Sequence, residues 1–153
     1  MAIQVLYTGD ATVRGARHGA AESSDGKLKV TLSSPKSLGG DDGNGTNPEQ
    51  LFAAAWGACF GGALEYIAKQ KGISTGDVVI ETKIGVGPSA AGAFGLVAEM
   101  TVTVPELTQA DAEQLVGEAD RSCPYSNAVR GNVEVALTAK GRQVGSCRLR
   151  MPT

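Results

Sequence analysis

Three cysteines and one histidine bring the widest chemistry to this chain: nucleophilic attack, redox exchange and metal binding. The cysteines stand at positions 59, 123 and 147, and the histidine at position 18. The number of cysteines is odd and no two of them form a Cys-x-x-Cys pair, so a framework of structural disulfides is not expected. Each thiol is then a buried apolar group, a metal ligand or a redox centre.

The spacing of these residues fits zinc poorly. Structural zinc sites usually take two ligands from one segment, about two to four residues apart, and no such pair exists among His18, Cys59, Cys123 and Cys147. A serine hydrolase fits no better, because the chain has no Gly-x-Ser-x-Gly turn. The glycine-rich segment 38–45 is not a phosphate-binding loop, because no Gly-Lys-Ser or Gly-Lys-Thr follows it. We therefore expect no metal and no cofactor.

Cys59 lies in the middle of a predicted helix over residues 49–71. Thr46 or Asn47 is suited to cap the start of this helix, and Gly72 is suited to end it. Apolar residues occupy most of the helix circumference, which predicts a central, buried helix. On this pattern alone, Cys59 is more readily a buried small apolar residue than a nucleophile.

Cys123 stands at a boundary between elements. It precedes Pro124, which biases it towards extended backbone and away from a helix interior. A short turn is expected over residues 126–130, ending at Gly131. A thiol at such a boundary has the mobility that a resolving cysteine needs, although its position alone does not assign that role.

The remaining pattern predicts an α+β domain. Alternating apolar and polar residues predict strands over residues 5–12, 28–32, 78–87, 93–104 and 133–139. The third and fourth of these flank a Gly/Pro/Ser turn and predict a hairpin. Thr108 caps a second predicted helix that runs to about residue 120. We expect one domain over residues 1–144, followed by a tail, 145–153, that is disordered or a cloning remnant.

Composition excludes several classes of partner. The formal net charge is −2 and the pI about 5.4, a balance that does not attract nucleic acid. No apolar run in the sequence is expected to span a bilayer, which takes about 20 residues. The first residues lack a basic segment followed by an apolar one. We therefore expect a cytoplasmic protein that binds neither nucleic acid nor membrane.

Several motifs together resemble the organic hydroperoxide resistance (Ohr) family of the OsmC-like superfamily. They are TNPEQLFAA (46–54), ACF (58–60), CPYSNA (123–128) and RGN (130–132), with LYT (6–8) and LGG (38–40). The resemblance covers about residues 3 to 140, and the CPYSNA segment favours the organic-hydroperoxide branch. It implies an α+β fold with antiparallel sheets packed around a long central helix, in an intertwined homodimer.

The resemblance also implies a role for each of four residues. Cys59 matches the peroxidatic cysteine and Cys123 the resolving one. Arg17 matches the arginine that activates the thiolate, and Glu49 the carboxylate that holds this arginine. Arg14 lies three residues before Arg17 in the same glycine-rich loop and remains an alternative, and His18 stands where the family often has Asp.

These residue types suit reduction of a peroxide by a thiol. A free cysteine has a pKa of about 8.5 and is mostly protonated at neutral pH, and burial raises the pKa further. A guanidinium nearby reverses this effect and holds peroxide oxygens with its fork of donors. The apolar side chains of Trp56, Phe60 and Phe94 are suited to the mouth of a site for an alkyl or fatty-acid hydroperoxide, although residues of these types more often belong to the core.

The implied cycle needs a reductant and leaves two other functions open. The resemblance implies that a lipoylated protein or dihydrolipoamide opens the Cys59–Cys123 disulfide. A small-molecule binding module with inert cysteines and a thiol redox sensor are the alternatives. Peroxide consumption with dihydrolipoamide separates them from a peroxidase.

The helix itself predicts a site built from two chains. Glu49 and Cys59 are ten residues apart, which separates them by about 15 Å along a helix axis and turns them to different faces. Gly57 can break the helix and rescue a site within one chain. A symmetric homodimer with antiparallel central helices is the simpler solution, and the family is dimeric.

Overall fold

The computed structural model describes residues 2–143, so the predicted tail with Cys147 lies outside the described residues. The chain divides into two compact units, which meet between Leu51 and Phe52, and the expected single domain over 1–144 stays a prediction. The elements in chain order are β1 (Thr12–Arg14), β2 (Ala20–Glu22), β3 (Lys29–Thr31), α1 (Pro48–Lys71), β4 (Val79–Pro88), β5 (Phe94–Thr103), α2 (Gln109–Ser122), α3 (Pro124–Val129) and β6 (Glu134–Lys140).

The first unit contains a small antiparallel sheet in the order β1-β2-β3. The prediction of a strand over residues 5–12 was wrong except at its last residue, since β1 begins at Thr12. Thr12 pairs with Glu22, where β2 ends. A strand persists only where a neighbour accepts its hydrogen bonds, and β2 offers none to the residues before Thr12.

Local signals set the ends of α1. Asn47 rather than Thr46 caps the helix, because its Oδ1 accepts a hydrogen bond of 2.9 Å from the backbone N–H of Gln50. Gly72 follows the last turn with a φ of 66°, a conformation that glycine adopts without strain. The helix runs unbroken from Pro48 to Lys71, so Gly57 does not interrupt it.

The burial of α1 differs from the expectation of a helix covered on most sides. Within the described residues of one chain, a single stripe along the helix is buried: Trp56, Phe60, Leu64 and Ala68. Ala54, Ala58 and Gly62 are exposed.

By length and composition alone, α1 is also apolar enough to cross a membrane, contrary to the expectation from the sequence. Its buried stripe belongs to the core cluster of the second unit, so α1 is a core helix.

The second unit packs α1 against a three-stranded sheet. The predicted hairpin is confirmed, with β4 and β5 antiparallel from the Val79–Thr103 pair to the Pro88–Phe94 pair. β6 runs parallel to β5, so this sheet is mixed rather than wholly antiparallel. A parallel neighbour needs a long crossover, which α2 and α3 provide between β5 and β6.

Glycines allow α1 to lie close to the sheet. A Cβ at position 57 would stand 3.2 Å from Oγ1 of Thr82, and one at position 61 would stand 3.3 Å from Cδ1 of Ile80. Both distances are tighter than most contacts of a Cβ atom, so an added Cβ at either position would require the side chain of Thr82 or Ile80 to shift by a few tenths of an ångström.

Candidate active site

Cys59 and Cys123 lie side by side in the second unit. Their Sγ atoms are 3.8 Å apart, although the two residues are separated by 64 positions in the sequence. Both thiols are free. Cys123 is fully buried, with 0% of its surface exposed, whereas Cys59 is half-buried. The pair is therefore a reduced dithiol in which one residue is fully buried and the other only half-buried.

The break between α2 and α3 positions Cys123. The residue has extended backbone, with φ −68° and ψ 122°, as its place before Pro124 predicts. Its N–H donates to the carbonyl of Ala119 at 2.8 Å, and its own carbonyl accepts from the N–H of Asn127 at 2.9 Å. Cys123 thus joins the end of α2 to the start of α3, and the expected turn over 126–130 is part of α3, which runs from Pro124 to Val129.

The surroundings of Cys59 in this unit favour the protonated thiol. Burial raises the pKa of Cys59 above its ordinary value, and the hydrogen bond and charge of Cys123 raise it further. The backbone N–H of Tyr125 acts in the opposite direction and lowers this pKa, but burial is the largest effect. A thiolate at neutral pH therefore needs a positive group in addition.

Arg17 and Glu49 form a bidentate ion pair in the first unit. Nη2 of Arg17 donates to Oε1 of Glu49 at 2.7 Å, and Nη1 donates to Oε2 at 3.0 Å. The hydrogen bonds from Arg17 hold the pKa of the Glu49 carboxyl below its usual range, against the effect of burial. The same contact raises the pKa of Arg17. The guanidinium thus stays charged, in a fixed plane.

The loop that carries Arg17 is a single turn of 3-10 helix, Ala16–His18. A Cβ at Gly19 would stand 1.8 Å from the carbonyl oxygen of Arg14, so the loop can close on itself only with glycine there. Among the described residues, the pairing with Glu49 belongs to Arg17, and Arg14 makes no ion pair. This geometry separates the two arginines, which the sequence had left as alternatives.

His18 is exposed beside Arg17 and makes no ion pair within the part of the chain that is described. Across residues 2–143, no group of three or more His, Cys, Asp or Glu side chains is placed to hold a metal ion. The arrangement of Cys59 and Cys123 as a bare pair of thiols is suited to redox exchange.

Two of the three aromatic side chains considered for the mouth of a site are buried in the core. Trp56 and Phe60 are buried core residues, at 1% and 0% exposure, so they take the core role that the sequence left open as the alternative to the mouth of a site. Both lie on the stripe of α1 that faces the core. Phe94 is exposed on β5.

The aromatic pair that the sequence analysis missed is Phe52 and Tyr125. Their rings meet edge to face, with centroids 6.3 Å apart, and Tyr125 is 40% exposed. Phe52 precedes Cys59 by seven residues, which is two turns along one face of α1. This spacing is the signal that would have found it, whereas Tyr125 lies within the CPYSNA motif, two residues after Cys123.

The comparisons with known proteins agree with this geometry. Residues 39–138, which include Glu49, Cys59 and Cys123, match the family of OsmC-like proteins. The chain is 48% identical over 136 residues to an organic hydroperoxide resistance protein of Xanthomonas axonopodis pv. citri, with 88% of this chain and 95% of that one covered. The chain belongs to the organic hydroperoxide resistance family of OsmC-like proteins.

Solved structures of this family share the fold. A crystal structure of an organic hydroperoxide resistance protein from Elizabethkingia anophelis superposes with a TM-score of 0.87 at 41% identity, covering 92% of this chain and 100% of that one. Organic hydroperoxide resistance protein OhrB of Bacillus subtilis is also 41% identical, over 88% of this chain and 98% of its own. The expected α+β fold of the OsmC type is confirmed.

Proposed function

We propose that this member of the family is a thiol peroxidase that reduces organic hydroperoxides to alcohols. The thiolate of Cys59 attacks one peroxide oxygen, an S–O bond forms, and the O–O bond breaks to release an alkoxide, which takes up a proton. Cys59 is oxidised by two electrons to a sulfenic acid. The observation that carries the proposal is the reduced thiol pair, with its sulfurs 3.8 Å apart.

The unequal burial of the two thiols supports different roles for them, with Cys59 attacking the peroxide and Cys123 forming the disulfide. Cys59 is partly open and can meet a peroxide, whereas Cys123 is sealed at 0% exposure. In the second step Cys123 attacks the sulfur of the Cys59 sulfenic acid, the S–O bond breaks, and hydroxide leaves to become water. The product is the Cys59–Cys123 disulfide, which forms without a further oxidant.

Arg17 and Glu49 are proposed to activate Cys59. The pKa of Cys59 is raised by its surroundings in the second unit, so a peroxidase needs a cation to stabilise its thiolate. Arg17 is a suitable cation, since Glu49 fixes its guanidinium through two hydrogen bonds. We assign Arg17 this role and the steadying of the departing alkoxide, and we assign Glu49 the role of orienting Arg17.

A dithiol must then reopen the disulfide, because the cycle consumes two electrons for each peroxide. We propose a lipoylated protein or dihydrolipoamide as this reductant and the cytoplasm as the compartment. A disulfide whose inner sulfur is buried is open to attack at Cys59 alone, and a slender dithiol such as dihydrolipoamide suits that access.

We also propose that the protein is a homodimer. The exposed small-residue face of α1 lines a groove of about 520 Å³ that includes Ala54, Ala58 and Gly62. Separately, an apolar segment near the N-terminus is highly exposed, with Ile3 at 85% and Leu6 at 92%. Exposed apolar surfaces of this kind typically mark interfaces, and a second copy is the proposed cover.

The proposed function is tested by peroxide consumption. The reduced protein is mixed with cumene hydroperoxide or hydrogen peroxide, with dihydrolipoamide as the electron donor. We expect repeated turnover, faster with the organic peroxide, and an oxidised protein that has lost both the Cys59 and Cys123 thiols. A small-molecule binding module would consume no peroxide, and a redox sensor would be oxidised once without turnover. Either result would contradict the proposal.

A further inference from the structure

A buried hydrogen bond lies beside the thiol pair and has no part in the reaction described so far. Nε1 of Trp56 donates to Oγ of Ser126 at 3.0 Å. Both side chains are buried, at 1% and 3% exposure. A buried indole N–H without a partner is costly, so this bond fixes where Ser126 lies relative to α1.

Each partner of the hydrogen bond lies three residues from one of the two cysteines. Trp56 and Cys59 are three residues apart on α1, and Cys123 and Ser126 are three residues apart at the start of α3. On α1 this spacing places both residues on one face, and at the start of α3 Cys123 is the N-cap residue of the helix while Ser126 is its third residue, so these two also lie close together. Two neighbouring contacts, one of 3.0 Å and one of 3.8 Å, therefore join α1 to the beginning of α3.

The two contacts change differently during the cycle. Disulfide formation must bring the sulfurs from 3.8 Å to about 2.05 Å, so the contact between Cys59 and Cys123 has to shorten. Nothing in that step alters the partners of Trp56 and Ser126. Helix α3 has only six residues, a length that has little stability of its own, so contacts such as this one must hold it in place.

We propose that the Trp56–Ser126 hydrogen bond is a positioning device that keeps Cys123 within reach of the Cys59 sulfenic acid. The inference rests on the proposed peroxidase function. Trp56 and Ser126 touch no reacting atom. They set the rate of disulfide closure, and thereby how long the sulfenic acid is exposed to a second peroxide, which would oxidise it irreversibly to the sulfinic acid.

The test separates the attack on peroxide from the closure of the disulfide. Reduced protein receives one equivalent of cumene hydroperoxide and is quenched at intervals, with dimedone to trap sulfenic acid. We expect Ser126→Ala to attack at a rate within about twofold of the native rate. In Ser126→Ala, closure of the Cys59–Cys123 disulfide should slow about tenfold, which corresponds to about 1.4 kcal/mol in the barrier. With excess peroxide, the fraction of Cys59 found as sulfinic acid rises in proportion.

Four further variants define the cause. Trp56→Phe removes the donor and should slow closure as Ser126→Ala does, and the double variant should be no slower than the slower single variant. Ser126→Thr keeps the acceptor, and its extra methyl has room in the cavity of about 190 Å³ that Trp56 and Ser126 line, so closure should recover. Ser34→Ala removes the buried hydroxyl of another serine and should leave both rates unchanged.

Several outcomes would overturn the inference. Native closure in both Ser126→Ala and Trp56→Phe would remove the positioning role, and so would an equal slowing of attack and closure, which is the mark of general unfolding. If Ser126→Ala does not fold, Trp56→Phe alone decides. Failure of the proposed function looks different, because it appears in the native protein: a binding module would form no Cys59–Cys123 disulfide, and a redox sensor would form it once without turnover on dihydrolipoamide.

Discussion

At the scale of single residues, the unequal burial of Cys59 and Cys123 predicts that their serine variants fail in different ways. Cys59→Ser should lose peroxide reduction, because the other described cysteine, Cys123, is fully buried and does not meet the peroxide. Cys123→Ser should consume one equivalent and stop as a sulfenic acid. Peroxide assays combined with mass spectrometry of the intact protein measure both results.

Cys147→Ser is the control for these variants, and it should leave turnover unchanged. Substantial turnover in Cys59→Ser would mean that another group attacks the peroxide. A disulfide recovered in Cys123→Ser would move the resolving role to Cys147.

The charge of Arg17 predicts a shift in the pH dependence of attack. The thiolate is the nucleophile and burial raises the pKa of Cys59, so the rate should rise as pH rises through that pKa. Removing the cation raises the pKa further. Arg17→Ala should therefore move the profile to higher pH and slow attack at pH 7 about tenfold or more, as a shift of 1–3 units implies. Stopped-flow measurements from pH 5 to pH 10 record the profile.

Two variants of the same loop test whether the effect belongs to Arg17. Arg17→Lys should recover part of the rate, because an ammonium lacks the fork that grips Glu49. Arg14→Ala removes an equal charge three residues away and should leave the profile in place. A shift in Arg14→Ala with none in Arg17→Ala would transfer the role to Arg14.

At the scale of elements, the start of α2 rests on one side chain. Oγ1 of Thr108 accepts the N–H of Asp111 at 3.2 Å, and loss of such a cap costs about 1 kcal/mol. Thr108→Ala should lower the free energy of unfolding by about that amount without slowing peroxide attack, whereas Thr108→Asp, which keeps a capping oxygen, should preserve it. Urea unfolding measures the difference. Equal stability in Thr108→Ala would show that the cap is dispensable.

Elements with strong local signals were predictable, and elements that depend on a neighbour were not. Helix α1 and the β4–β5 hairpin follow from capping residues, apolar spacing and turn composition, which act within a few residues. The strand predicted over residues 5–12 shrank to Thr12–Arg14, because pairing depends on where β2 ends. The parallel direction of β6 depends on the path of the crossover, which no strand pattern records.

At the scale of the whole molecule, the proposed dimer predicts a site shared between chains. α1 is unbroken at Gly57, so no kink in the helix brings Glu49 and Cys59 of one chain closer together. Two inactive variants, Cys59→Ser and Glu49→Ala, are mixed and allowed to exchange subunits. In a shared site, one of the two sites of each heterodimer carries both mutations and the other is intact, so about half of the native activity per heterodimer returns.

The control is each inactive variant taken through the same exchange alone, which should stay inactive. A site contained in one chain leaves every heterodimer dead, and this result, with exchange verified by mass spectrometry, would end the shared-site proposal. Gel filtration tests the dimer itself, and a monomer at micromolar concentration would contradict it.

The sequence by itself determined what is local and chemical. It supplied the kinds of reactive residue, the ends of α1, the break at Pro124 and, through the combined motifs, the family. The tertiary structure decided which side chains meet. Only packing brings Cys123 to 3.8 Å from Cys59 and pairs Glu49 with Arg17 instead of Arg14. Such contacts link residues far apart in the chain, so they depend on how whole elements pack, which short-range spacing and propensity do not encode.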